Sequence, residues 1–332
     1  MAVLAFLGPL GTFTHEAATR FAAPDDELVP VATVDTAYDA VAEHRTEAAV
    51  VAIDNTVEGP VIPSVNRLLG GDFFADDRRD VRIAFCALRR PGDTAPATAV
   101  VSHAHALAQC AGWARRQGLT PQPAPSTAAA CAQLGPGEVA LAPRLCAEVY
   151  GLDVVAEDVQ DYDGALTTFL HVRPASTLTR AEVAAFPQPS HTLLAVTPHL
   201  SEIGCFTRLV TSLSDREINI FSLRSRPVKA AAGAYTFGFD LNGTPADSPL
   251  RDAIQSWLDD GHFVKILGVY PWSATDELTV SPIDHRNTLP GSFSAAGIPA
   301  AYRGVFAGEP ACPWPPPPPP LRRPSGSSTG SP

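Results

Sequence analysis

The stretch Ala52-Ile-Asp-Asn-Thr-Val-Glu-Gly59 brings two carboxylates, an amide and a hydroxyl together at the end of an apolar run. That run, 48–53, reads as a buried strand, and Pro60 follows the turn. Polar groups at the carboxyl end of a strand lie where open α/β sheets hold their ligands. An ordinary N-cap and turn would use the same residue types, so the neighbours in sequence decide between the two readings. Gly8-Pro-Leu-Gly-Thr-Phe-Thr14, Ser102-His-Ala-His-Ala-Leu-Ala-Gln-Cys110 and the pair Ser126-Thr127 are three more junctions rich in small and hydroxyl residues. Each falls where a strand should meet a helix, and the free N–H groups of a helix start suit a carboxylate. The first of them lacks both the GK[ST] ending of a P-loop and the GxGxxG of a dinucleotide site, so nucleotide binding has no support. His103 would serve as a donor in a cleft or as a helix cap.

These residues need a scaffold that brings four distant junctions together. Apolar periodicity and turn residues predict strands at 3–7, 28–31, 48–53, 81–88, 100–101, 121–125, 137–142, 154–159 and 165–172. Helices are predicted from about Thr14, at 36–43, from Pro63, after Ser102, from Ser126 and over 143–150. The βαβ alternation argues for a mainly parallel sheet. The strand 81–88 crosses into a second lobe and 154–159 returns, which leaves a cleft between two lobes of an α/β domain over 1–175. Residues 176–190 read as a linker with a short helix at 181–186. Residues 191–272 follow a βαββαβ order, that of a ferredoxin-like module. The remainder, 273–332, holds six consecutive prolines and is expected to be irregular.

Composition narrows the function classes. The chain has 332 residues, 45% hydrophobic with a mean hydropathy of +0.04, which fits a packed protein with room for two domains. A formal charge of -11 with only 24 Lys plus Arg disfavours nucleic acid and membrane surfaces as partners. An anionic ligand would have to be met by local donors. The cysteines at 86, 110, 131, 146, 205 and 312 show neither CxxC spacing nor disulfide density and read as reduced core thiols. The opening Met1-Ala-Val-Leu-Ala-Phe-Leu7 has no basic flank and reads as a first strand, so a cytoplasmic location is expected. No metal ligand set or cofactor motif is present.

Taken together, the stretches resemble the prephenate dehydratase family from residue 3 to about residue 270. Gly8 to Thr14 is similar to its GPxGTF[ST] turn, and Ala52 to Gly59 to its PIENSxEG signature, with Ala for Pro, Asp54 for Glu and Thr56 for Ser. Ser102 to Cys110 is similar to SHPxALAQC with Ala104 for Pro. Ser126-Thr127-Ala128 and Ala147-Glu-Val-Tyr-Gly-Leu152 agree with the next two segments. The resemblance implies a two-lobed catalytic domain like a periplasmic binding protein, followed by a regulatory ACT domain. It further implies a homodimer or homotetramer, and a carbon-carbon lyase acting on prephenate without cofactor or metal. Thr167, Glu58 and His103 would then be catalytic. Thr12, Thr14, Asn55, Thr56, Ser102, Ser126, Thr127 and Phe169 would bind the substrate.

Two departures bear on the reaction. The family's N-x-T-R-F is here Ala165-Leu-Thr-Thr-Phe169, so Thr167 stays while arginine becomes Thr168. A hydroxyl cannot replace a guanidinium fork. In the ACT unit, GAL[VS] becomes Gly204-Cys-Phe-Thr207 and ESRP becomes Arg224-Ser-Arg-Pro227, which implies a degenerate phenylalanine site. The missing arginine favours a prephenate decarboxylase of secondary metabolism, which loses carbon dioxide and protonates a ring carbon instead of aromatising. His103, His171 or water would give the proton. A prephenate dehydratase of phenylalanine biosynthesis is the alternative, and a non-catalytic amino-acid sensor is the reading from another class.

Overall fold

The computed structural model describes residues 1–186, 189–199, 202–228 and 234–271. The expectation of an irregular tail over 273–332, Cys312 included, lies outside the described residues. The first lobe runs β1 (Val3–Leu7), α1 (Phe13–Phe21), β2 (Glu27–Val31), α2 (Val34–Ala42), β3 (Ala48–Asn55), the short β4 (Gly59–Pro60), α3 (Ile62–Gly70) and β5 (Phe73–Arg82). The second lobe follows with β6 (Cys86–Arg89), β7 (Ala99–Ser102), α4 (Ala104–Gln109), α5 (Ala111–Arg116), β8 (Thr120–Pro123), α6 (Thr127–Ala132), β9 (Glu138–Ala142), α7 (Leu145–Tyr150) and β10 (Asp153–Ala156). The chain then returns to the first lobe as β11 (Leu166–Pro174) and passes through α8 (Arg180–Ala184). A third section comprises β12 (Ser190–Thr197), α9 (Cys205–Ser214), β13 (Ile220–Pro227), β14 (Tyr235–Asn242), α10 (Ser248–Asp259) and β15 (Phe263–Pro271).

Two sheets organise the lobes. In the second lobe five strands take the order β10-β6-β9-β7-β8. The other sheet has ten strands, in the order β13-β14-β12-β15-β5-β11-β3-β1-β2 with β4 beside β3. Its β1, β2 and β3 pair in parallel, whereas β11 lies antiparallel between β3 and β5. The order β15-β12-β14-β13 with all three pairings antiparallel is that of a ferredoxin-like module. Its core closes around Trp257, Phe239, Leu194 and Leu209, with the Trp257 indole N–H donating to Ser212 Oγ at 2.7 Å. A buried aromatic of that size satisfies its one polar atom while removing a large apolar area from water.

The structure corrects the expected mainly parallel sheet, since most pairings of the ten-stranded sheet are antiparallel, and it corrects the strand at 81–88. The single strand expected at 81–88 is two, since β5 ends at Arg82 and β6 begins at Cys86. Most of β5 carries no apolar signal, because Asp76-Asp-Arg-Arg-Asp80 is a run of charges. The charges are tolerated in a central strand because they are paired. Arg78 meets Asp80 at 3.0 Å, Arg79 meets Asp77 at 2.7 Å, and Asp76 takes both His171 and Arg173 at 2.6 Å. The ferredoxin-like module is also joined to the first lobe rather than merely tethered to it. Strand β15 pairs with β5 at Gly268 and Ala75, and a Cβ at Gly268 would lie 2.6 Å from the Ala75 carbonyl oxygen. Leu193, Leu267 and Tyr270 accordingly share one core with Tyr38, Leu68 and Leu170 of the first lobe.

Cys86, Cys110, Cys131 and Cys146 are buried free thiols, and Cys205 is half-buried and also free. Burial pushes Cys110 up to about 12, so it stays a thiol. No helix among the described residues is long and apolar enough to cross a membrane.

Candidate active site

A cavity of about 830 Å³ opens between the two lobes, walled by the loop after β1, the β3–β4 turn, the crossing segment at Ile83 and Phe85, the starts of α4 and α6, and β11. Thr12, Thr14, Asn55, Glu58, His103, Ser126, Thr127, Thr167 and Phe169 all line it. Local structure explains how each is aimed. Thr12 caps α1, its Oγ1 accepting from His15 N at 3.2 Å, so that Thr14 sits in the first turn with the free N–H groups. Ser126 caps α6 in the same way, with Oγ accepting from Ala129 N at 3.0 Å. His103 is both cap and cleft residue: Nδ1 accepts from His105 N at 3.4 Å, which leaves the proton of a neutral ring on Nε2.

At the centre of the cleft stand Asn55 and Thr167, opposite each other on β3 and β11. Asn55 Oδ1 accepts from the N–H groups of Val57 and Glu58 at 2.8 and 2.9 Å, which only an oxygen can do and which therefore orients the amide. Its Nδ2 then donates to Thr167 Oγ1 at 2.7 Å. Because that bond occupies the oxygen as an acceptor, the Thr167 proton remains available to donate. Thr167 is 7% exposed, so its hydroxyl is a preset donor held in the cavity wall.

Other expected site residues lie elsewhere. Ser102 is fully buried and its hydroxyl donates to Leu141 O at 2.5 Å, which ties β7 to β9 instead of facing the cleft. Thr56 does not line the cavity either. Its Oγ1 accepts from Leu166 N at 2.9 Å and so clips the turn to the start of β11. His171 lies two residues beyond Phe169, bonded to Asp76 and close to Phe21 of α1, in a separate pocket. It is therefore removed as a proton source for the cleft. Thr168 points to the opposite face of β11 from Thr167, with Oγ1 donating to Asp80 Oδ1 at 2.7 Å. An arginine at this position would not sit beside the Thr167 hydroxyl, so the expected loss of a cation there does not hold.

Sequence reasoning overlooked His105 and Gln109, which also line the cavity. Their i, i+4 spacing in α4 is the signal that would have found them. No lysine or arginine is among the described residues that line it, so an anion entering the cleft meets hydroxyls, amides, imidazoles and helix starts. Beneath the cleft, Cys146 Sγ donates to Gly11 O at 3.0 Å and Tyr150 O–H to Leu10 O at 2.8 Å, joining α7 to the first-lobe turn. Gly11 has φ 88° and a Cβ there would lie 2.8 Å from Cys146 Sγ. A hydrogen bond with Cys131, and then burial, push the Cys146 thiol far up, so this contact is structural.

Comparison with known proteins follows this geometry. The family model described as prephenate dehydratase matches residues 4–177. A prephenate dehydratase of Amycolatopsis methanolica is 32% identical over 314 residues, covering 92% of this chain and 100% of the relative. One from Corynebacterium glutamicum is 30% identical and covers 83% of this chain and 90% of its own length. Among solved structures, the prephenate dehydratase from Arthrobacter aurescens in complex with L-Phe superposes with a TM-score of 0.71 at 29% identity, covering 84% of this chain and 93% of that one. A chain described as GqqA, a novel type of quorum quenching acylase, superposes with a TM-score of 0.72 at 27% identity, covering 82% and 99%. One scaffold thus carries differently described activities, and the site has to supply the argument for function.

Proposed function

The chain belongs to the prephenate dehydratase family, and on that premise we propose that it is a prephenate decarboxylase that leaves the ring non-aromatic. Loss of carbon dioxide is common to both activities of such a site. The ring C–CO₂ bond breaks and its electron pair enters the ring. In a dehydratase that pair expels the ring hydroxyl, which takes up a proton and leaves as water, giving phenylpyruvate. In a decarboxylase a ring carbon takes up the proton and the hydroxyl stays, giving a dihydro-4-hydroxyphenylpyruvate. Each route consumes one proton, and the outcome depends on where the site delivers it.

The observation that carries the reading is the surroundings of Thr167. Besides Asn55, to which it is bonded, Thr167 has Val81 as its register partner on β5, and Phe169, Ile83 and Phe85 line the same cavity, with Ala165 buried just before β11 where the family motif has asparagine. The leaving hydroxyl would therefore meet the Thr167–Asn55 pair, neutral groups without a fixed cation beside them among the described lining residues. Hydroxide is a poor leaving group without a proton or several strong donors. His103 and His105, 5.0 Å apart by ring centroids, lie on the second-lobe side of the same cavity and, with Glu58 at its rim, are groups able to deliver a proton to carbon. The two carboxylates of prephenate would be held at the first turns of α1, α4 and α6 by Thr12, Thr14, Ser126, Thr127 and backbone N–H groups.

Dehydration is the second reading, favoured by the intact Asn55–Thr167 bond. We further assign the ferredoxin-like module to assembly as a homodimer, with an effector site degenerate at Cys205, Phe206 and Arg224. Incubating the purified protein with prephenate and following carbon dioxide, ultraviolet absorbance and product mass tests these points together. The expected product retains the elements of water and lacks phenylpyruvate absorbance, and millimolar phenylalanine leaves the rate nearly unchanged. Stoichiometric phenylpyruvate would assign a dehydratase, and binding without turnover would assign a sensor.

A further inference from the structure

The face of β11 turned away from the cleft meets the ferredoxin-like module. Strands β3 and β11 alternate together, so Asp54 and its register partner Thr168 share that face, while Asn55 and Thr167 share the other. Arg224 of β13 reaches across from the module, with Nη2 3.2 Å from Asp54 Oδ2 and Nη1 3.2 Å from Ser222 Oγ. Asp80, the register partner of Thr168 on its other side, is paired with Arg78. Asp54 and Asp80 therefore flank Thr168 from the two neighbouring strands, about 10 Å apart at two strand spacings.

The ladder is irregular at this point. The register of β3 against β11 jumps between Asp54 opposite Thr168 and Ala52 opposite Phe169, so Ile53 is a bulge. A bulge bends and twists its strand and so re-aims the residues just beyond it, which stay paired with β11 and β4. Those residues are Asp54 and Asn55, and Asn55 holds the Thr167 hydroxyl. An anchor on Asp54 is thus one peptide unit from the group that orients the donor in the cleft.

We propose that Arg224 is a positioning residue for the Thr167 hydroxyl, acting through Asp54 and Asn55, and that it supplies from the module the cation which the family motif carries at position 168. This rests on the reading that Thr167 faces the ring hydroxyl of prephenate. Positions 168 and 224 then form one electrostatic site. The two departures that look independent in sequence, arginine lost from β11 and glutamate replaced by Arg224, are a single relocation of charge. The ferredoxin-like module becomes part of the catalytic apparatus, because it holds one end of β3 in place. Asp54 is about two-fifths exposed and Arg224 about one-fifth, so the pair contributes little to global stability. Its effect is on geometry.

The test uses the full chain and prephenate, with carbon dioxide release as the rate and hydrogen exchange over 52–60 as a structural readout. R224A should lower kcat by about tenfold with KM changed less than about twofold, because a small misplacement of a reacting group costs rate more than binding. Exchange over 52–60 should rise while the melting temperature stays nearly constant. R224E puts a carboxylate against Asp54 and should be worse than R224A. The double variant T168R/R224E restores opposite charges at the two positions and should recover most of the wild-type rate. The proposal is overturned if R224A leaves kcat and exchange unchanged, or if T168R/R224E is as impaired as R224E. If the wild-type protein turns over no prephenate, the functional reading fails, and the exchange measurements still decide the role of Arg224.

Discussion

The two faces of the β3–β11 strand pair handle charge in opposite ways. On the cleft face Asn55 and Thr167 form a neutral pair, and among the described residues no lysine or arginine lines the cavity. On the other face, one residue along each strand, Asp54 is paired with Arg224, while Thr168 bonds to Asp80, itself paired with Arg78. The difference teaches where fixed charge is useful. Paired ions on the closed face pin strands to one another and to the module. Donors in the cleft are neutral, and the bonds of Thr12 and Asn55 go to backbone carbonyls and to a hydroxyl, so they are not spent on protein carboxylates.

Equivalent substitutions on the two faces should therefore behave unequally. Thr167→Val keeps the volume and removes the hydroxyl in the cleft. It is expected to lower kcat by about 10²–10³, the cost of deleting a preset donor at developing charge, with the fold intact by circular dichroism. A loss below about threefold would remove Thr167 from the chemistry. Glu58→Gln, at the exposed rim of the same cavity, should reduce kcat/KM by about tenfold if the carboxylate takes part in proton handling. Turnover near the wild-type level would leave Glu58 as a turn residue whose contribution is its N–H bond to Asn55. Thr168→Val makes the same chemical change as the first variant on the opposite face. It should leave kcat within about threefold. By withdrawing one donor from Asp80, whose side chain is 5% exposed, it should lower stability by about 1–2 kcal/mol in denaturant unfolding. If Thr168→Val lowered kcat as much as Thr167→Val, the two faces would not be distinct in function.

Much of the scaffold was readable because it obeys local rules. The strands 3–7 and 48–53, the helix starts at Thr12 and Ser126, and the βαββαβ order of the third section follow from apolar period and capping residues. Most cleft residues were legible for the same reason, since they sit at strand ends and helix caps. Strand β5 was not, because its run of charges hides the apolar period, and Asp76 finds His171 and Arg173, partners that a window along the chain does not contain. Ser102 was misplaced because a hydroxyl at a strand end faces either a cleft or a neighbouring carbonyl, and the choice is made by β9 lying alongside.

Thr168 marks the boundary between the two kinds of information. Sequence by itself determined that an arginine is missing from the motif and that a new one stands at position 224. It also contained the period of two that sends adjacent residues of a strand to opposite faces, which the reading of Thr168 as a neighbour of the Thr167 hydroxyl did not apply. Only the tertiary structure decided that Arg224 meets Asp54, that the module extends the first-lobe sheet through Gly268, and that the described residues lining the cleft include no fixed cation. Local pattern sets which face a side chain takes, whereas the partner it finds there depends on sheet order, which brings together residues far apart in the chain.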